Sequence, residues 1–306
     1  MNLALALVLF AQAAQSTQGA FGAARPVECG VTEGSRNANV WERAKEPELR
    51  RYCDLLARGT AHLVSSPALV KEVVGIADDA DKILPGRAAP LVLKGRALLR
   101  LAKPADALAA LDGARKRDDR ALDDPVALLA WARANARTGH VDEAAQAFRA
   151  ALPRTSALTA PERGAASFEA GMIVLGQGPK SADDAVAMLR QARRDAQDAM
   201  QLASVIALAL ALDRTGQRDE AKAVVAERVR GDVRPVLGDA KVTEALADAG
   251  VAYESDALVA TALENFDPAA ARDAWHKYLD GAGGKGPWAD HARQREAALG
   301  AGKKTR

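Results

Sequence analysis

Aromatic side chains make up only 4% of this chain of 306 residues, which also carries just two cysteines and four histidines. A sheet-built core draws on β-branched and aromatic residues, so the shortage points away from strands. The apolar share is still 49%, and Ala and Leu supply most of it, which suits closely packed helices. An excess of one charge is missing too: 42 basic residues face 40 acidic ones, a net charge of +2. That balance argues against a dedicated nucleic-acid binder, whose footprint is a basic excess. Cys29 and Cys53 form no CxxC and have no adjacent His, which removes the usual reactive-thiol patterns. His62, His140, His276 and His291 belong to no HExxH pair, and GxSxG, GxxxxGK[ST] and a GxGxxG that opens a helix after a strand are absent. Residues 281–284, GAGG, follow no strand and precede no Lys-Ser/Thr, so they read as a linker. Acidic pairs such as Asp183-Asp184 and Asp219-Glu220 sit where helices begin, as the helix dipole favours. No cofactor and no metal site are expected.

Beyond the first residues no apolar run approaches the ~20 residues of a membrane span. Residues 1–15, MNLALALVLFAQAAQ, instead have the apolar length of a signal-peptide core, with a small-x-small site at 11–13. The n-region lacks Lys and Arg, and a frayed N-terminal helix is the other reading. The expectation is a signal peptide over 1–24 and a periplasmic or secreted chain. It would not be a lipoprotein, because Cys29 follows Pro26-Val27-Glu28. An even cysteine pair in an exported chain suggests one disulfide, Cys29–Cys53, tying down a coil over 25–47. Two unrelated buried thiols are the alternative.

What is plentiful is amphipathic helix at a regular interval. Residues 127–152 hold two such runs, divided by Thr138-Gly139-His140. Leu128, Trp131 and Ala132 share one face of the first; Ala144, Ala147, Phe148 and Ala151 share one face of the second. Gly139 sits where a left-handed residue stops a helix. The same arrangement recurs at 48–84, 88–121, 161–196 and 202–230, and more weakly at 253–280. Arg214-Thr215-Gly216 repeats Arg137-Thr138-Gly139. Val73, Ala107, Ala144, Ala185, Ala221 and Ala271 occupy equivalent places, at spacings of 34, 37, 41, 36 and 50 residues. The long last interval reflects an insert over 231–252, with a short helix at 239–247. A glycine-rich hinge at 281–286 leads to a capping helix at 287–299 with Trp288 inward. A basic tail fills 300–306.

This pattern resembles the tetratricopeptide repeat (TPR), a helical hairpin of about 34 residues. Its small and aromatic positions match Gly95, Ala107, Trp131, Ala132, Gly139, Ala144, Phe148 and Ala151, then Ala185, Ala209, Gly216 and Ala221. The resemblance implies an all-α, right-handed α-solenoid of antiparallel hairpins, with repeats over 48–230 and a degenerate terminal repeat and cap over 253–299. It also implies a scaffold without enzymatic activity, binding a protein or peptide in a concave groove. Repeat positions 9 and 13 line that groove in the family and carry over to Arg96, Arg100, Arg133, Arg137 and Arg214. Gly171 and Leu175 interrupt the stripe. Arginine forks pair with carboxylates, so an acidic segment would suit it; a solvated helix face is the plainer reading. The Asn pattern of carboxylate-clamp TPRs is missing, so chaperone C-terminus binding does not carry over.

The Ala- and Arg-rich composition fits a GC-rich bacterium, which places the expected scaffold in a Gram-negative envelope. Two other function classes compete. A glycan or peptidoglycan binder would use Trp275 and Trp288 as stacking platforms. A hydrolase would need His and carboxylates converging on the C-terminal hinge with perturbed pKa values. Oligomeric state is not legible.

Overall fold

The structure, a computed structural model, describes Pro26, Cys29, residues 47–65 and residues 67–301. The expected signal peptide at 1–24, most of the 25–47 coil and residues 302–306 of the basic tail lie outside these. Among the described residues there is no strand. The chain is all-α, and it divides into two compact units, Met1–Asn135 and Ala136–Arg306.

In the first unit α1 (Pro47–Ser65) packs on α2 (Val70–Ile83), which follows a 3-10 turn at Pro67–Leu69, and α2 packs on α3 (Ala89–Arg100). The apolar faces meet as the periodicity requires. Tyr52, Leu56 and Leu63 close against Val73, Ala77 and Leu93 in one cluster. Cys29 joins that cluster, and its sulfur lies 2.08 Å from that of Cys53, with the Cα atoms 5.7 Å apart. Helix α4 (Pro104–Arg117) starts on a proline, whose missing amide costs nothing there, and packs back on α3. Gly95 lets these two helices touch. A Cβ at that position would stand 2.6 Å from Leu111 Cγ. Helix α5 (Pro125–Arg137) follows, its first turn capped by Asp124, which accepts from the amides of Val126 and Ala127. The boundary between the units falls inside α5.

The second unit takes in α6 (Val141–Ala151), α7 (Ala160–Gly176), α8 (Ala182–Asp195), α9 (Asp198–Arg214) and α10 (Arg218–Arg228). Helix α7 opens with a capping box, in which Thr159 and Glu162 satisfy each other's amides. Gly139 and Gly216 carry positive φ, +86° and +81°, which the two hairpin turns need. Ala144, Phe148, Ala151, Ala185, Ala209 and Ala221 are all buried. Gly171 does for α7 what Gly95 does for α3: its Cβ would lie 2.5 Å from Leu189 Cγ. Leu111 and Leu189 hold the same repeat position, so Gly171 stands at position 8. The sequence-based register sets position 9 one residue early, and Met172 holds that place.

Beyond α10 the structure departs further from expectation. The insert contains two helices, α11 (Arg234–Leu237) and α12 (Ala240–Asp248). A 3-10 turn, Ala252–Glu254, leads into α13 (Ser255–Leu263), which pairs with α14 (Pro268–Asp280). The predicted hinge at 281–286 is a 3-10 turn, Ala282–Lys285, folded tightly on α14. A Cβ on Gly283 would sit 2.3 Å from the Tyr278 ring, so glycine here serves close approach rather than looseness. The last helix, α15 (Ala289–Ala301), runs two residues past the predicted cap and packs on α14.

Candidate functional site

The arginines assigned to the groove do different jobs. Arg96 is half-buried on α3 and borders a cavity of about 360 Å³ in the first unit. That cavity is bounded by Leu56 and Thr60 of α1, Ala89 and Val92 of α3, and Asp124 and Ala127 at the start of α5. Ala89, Val92 and Arg96 are repeat positions 2, 5 and 9, so the opening coincides with the inner face that the resemblance implies. Arg117 also borders it, held by Asp81 and by the Arg87 carbonyl at 2.9 Å. Pro26 completes one edge. Arg100, at the exposed end of α3, donates to the carbonyl of Leu63. Arg133 is half-buried on α5.

In the second unit the two position-13 arginines are already engaged. Arg137 Nε lies 2.5 Å from Asp248 Oδ1 at the end of α12. Arg214 is corrected outright: its side chain is fully buried and lines no open groove. It forks onto Glu254, at 3.1 and 2.7 Å, and donates to Tyr278 Oη at 3.2 Å. The guanidinium also sits 5.1 Å from the Trp288 ring centroid. Burial pushes the phenol of Tyr253 up to about 12, and the charge of Glu254 adds to the shift. Burial and Glu254 raise Tyr278 in the same direction. The sequence held one sign of these partners, the surplus length between Ala221 and Ala271, but nothing local that pairs Arg214 with a residue forty positions on.

The glycan reading required two open indoles, and the structure closes both. Trp275 and Trp288 are buried. Their Nε1 atoms donate to Glu264 at 3.0 Å and to the Leu175 carbonyl at 2.6 Å. Tyr278 and His291 cover their edges. Neither ring can stack on a sugar.

A His–carboxylate cluster does form near the C-terminus, between α15 and the end of α9. His291 Nε2 and Arg295 Nε each lie 3.1 Å from Asp213 Oδ2, and Arg295 also binds Glu264. Burial alone would push the Asp213 carboxyl up. The hydrogen bond from His291 and the charges of Arg295, His291 and Arg218 outweigh it and hold the group below the usual carboxylate range. The adjoining cavity is only about 20 Å³, room for one water. His276 faces Glu296 and Asp280 instead, and the two C-terminal histidines share no site. Among the described residues no group of three or more His, Cys, Asp or Glu is placed to hold a metal. No described helix is long and apolar enough to cross a membrane.

No protein-family profile matches the chain, and no curated protein matches it. Solved structures similar to it include a Podosopora anserina putative kinesin light chain with nearly identical TPR-like repeats, represented by two crystal structures. One, of a point variant, is 20% identical over 63% of this chain and 96% of its own, with a TM-score of 0.44. The other is 20% identical over 61% and 95%, with a TM-score of 0.43. The APC/C hetero-tetramer Cut9–Hcn1 matches at 15% identity over 88% of this chain and half of that one, with a TM-score of 0.37. None of these assigns a partner to this chain.

Proposed function

We propose that the chain is a non-enzymatic protein–protein interaction scaffold of the bacterial envelope, taking a partner segment on the inner face of its first unit. One observation carries the reading: the cavity of about 360 Å³ opens where repeat positions 2, 5 and 9 of α3 lie, at Ala89, Val92 and Arg96. Its walls mix apolar side chains with arginines, the composition of a pocket that anchors an extended or helical segment and orients it by a carboxylate. The cysteine pair at disulfide distance is compatible with export.

The test is site-specific photocrosslinking in cells. A benzophenone amino acid at Val92 is expected to trap a defined partner band. The same probe at Lys116, exposed on the last turn of α4, is expected to trap none. Adding Arg96→Glu should remove the Val92 product from a chain that still folds. Equal products at both positions, or none at Val92, would overturn the assignment.

A further inference from the structure

The second unit contains what looks like a ligand, and the ligand is its own. Helices α7 and α9 are buried on every side: eleven of the seventeen residues of α7 and twelve of the seventeen of α9 are inaccessible. A hairpin helix stacked only between its neighbours keeps an outer or inner face open. Here the inner face is covered, because α12 packs on both α7 and α9 and α11 packs on α9. The covering segment is amphipathic. Val242, Leu246, Ala249 and Val251 point in and are buried, while Lys241, Thr243 and Glu244 stay exposed. It is also net acidic, and its two inward carboxylates meet the two arginines at repeat position 13: Asp248 on Arg137 and Glu254 on Arg214. Gly250 lets the chain pass close between them. It has φ +69°, and a Cβ there would lie 2.7 Å from the Ala136 carbonyl.

We propose that residues 239–254 are an intramolecular ligand of the second unit, and that the face beneath them recognises a short amphipathic helix ending on a carboxylate and followed, past a glycine turn, by a second carboxylate six residues on. The recognition mode is helix-in-groove, with apolar anchors supplying area and the arginine pairs fixing register. An external helix of the same chemistry engages this face only by displacing the resident one. The tether holds that resident at a ~mM effective concentration, so a free competitor is excluded until the insert is removed. The surface is distinct from the cavity of the first unit, and the inference stands whether or not that cavity takes a partner.

The probe is a fluorescein-labelled peptide of residues 239–254, titrated by anisotropy against the full chain and against a full-length variant with 232–254 replaced by a Gly-Ser linker. The expected result is binding to the variant at least tenfold tighter than to the parent. That gain should vanish when Asp248 and Glu254 of the peptide are changed to Ala. A folded variant that binds no better than the parent, or a peptide lacking these two carboxylates that binds as well, would overturn the proposal. If circular dichroism shows the variant unfolded, hydrogen exchange on the parent decides. Amides of 240–248 are expected to exchange at least tenfold faster than those of α7 and α9, through separate opening of the insert. Exchange of all three only through common global unfolding would overturn it.

Discussion

Arg214 and Glu254 form the most enclosed charge pair described, with side chains 0% and 1% exposed. Taking two charges out of water is costly, and the pair roughly repays that cost only while both members are present. Glu254→Gln should therefore destabilise the chain by ~3–5 kcal/mol, read as a shift of the urea midpoint. Replacing both residues by Leu should cost less than the single change. A single variant within ~0.5 kcal/mol of the parent would show the pair to be solvated. Alkali tests the same cluster. Tyr253 titrates at about 12 in the fold against an ordinary value near ~10. A raised folded value means its contribution is intact below pH ~10 and is lost as pH climbs towards 12. Denaturant midpoints should fall over that window, and the fall should be shallower in Tyr253→Phe. Little of this was legible beforehand. Arg214 was visible as a repeat position, but its burial depends on Glu254 and Trp288, which periodicity cannot place against it.

At the scale of elements, α15 is held by more than apolar contact. Asp213 of α9 receives both His291 and Arg295, and Glu264 receives Arg295 and the Trp275 indole. The folded carboxyl of Asp213 is lowered, so its contribution is present above the unfolded value of ~3.9 and is lost as pH falls through the folded one. Acidification below pH 4 should release α15 and shift Trp288 fluorescence to the red. Asp213→Asn should speed α15 amide exchange at neutral pH, at a cost of roughly 1.5–3 kcal/mol for a charged hydrogen bond. Unchanged protection would mean that packing alone docks the helix. The hairpins themselves were readable, because Ala and Gly recur where two helices must approach. The register within one hairpin was not: the longer turn at 177–179 hides it, and only the contact of Gly171 with Leu189 fixes it. Gly171→Ala and Gly95→Ala should each cost ~1–3 kcal/mol by overpacking against a buried leucine. Thermal melts would expose an error in either register.

Taken as a whole, the molecule concentrates its covalent tie in one place. Cys29 meets Cys53 on α1, within the first unit, and no described cysteine is free. On the chain-entropy account, closing a loop of 24 residues' separation stabilises by ~3 kcal/mol. In stacked repeats each element leans mainly on its neighbours, so that gain should stay local. Non-reducing peptide mapping of exported chain is expected to recover the joined 29–53 pair. Reduction should then lower the urea midpoint read from amides of 50–130 by up to ~3 kcal/mol, while amides of 160–301 hold their midpoint. Free thiols in exported material would remove the disulfide and weaken the envelope assignment with it. Equal loss in both segments would instead keep the bond and show that the chain unfolds as one cooperative body, a result the local-contact argument does not permit.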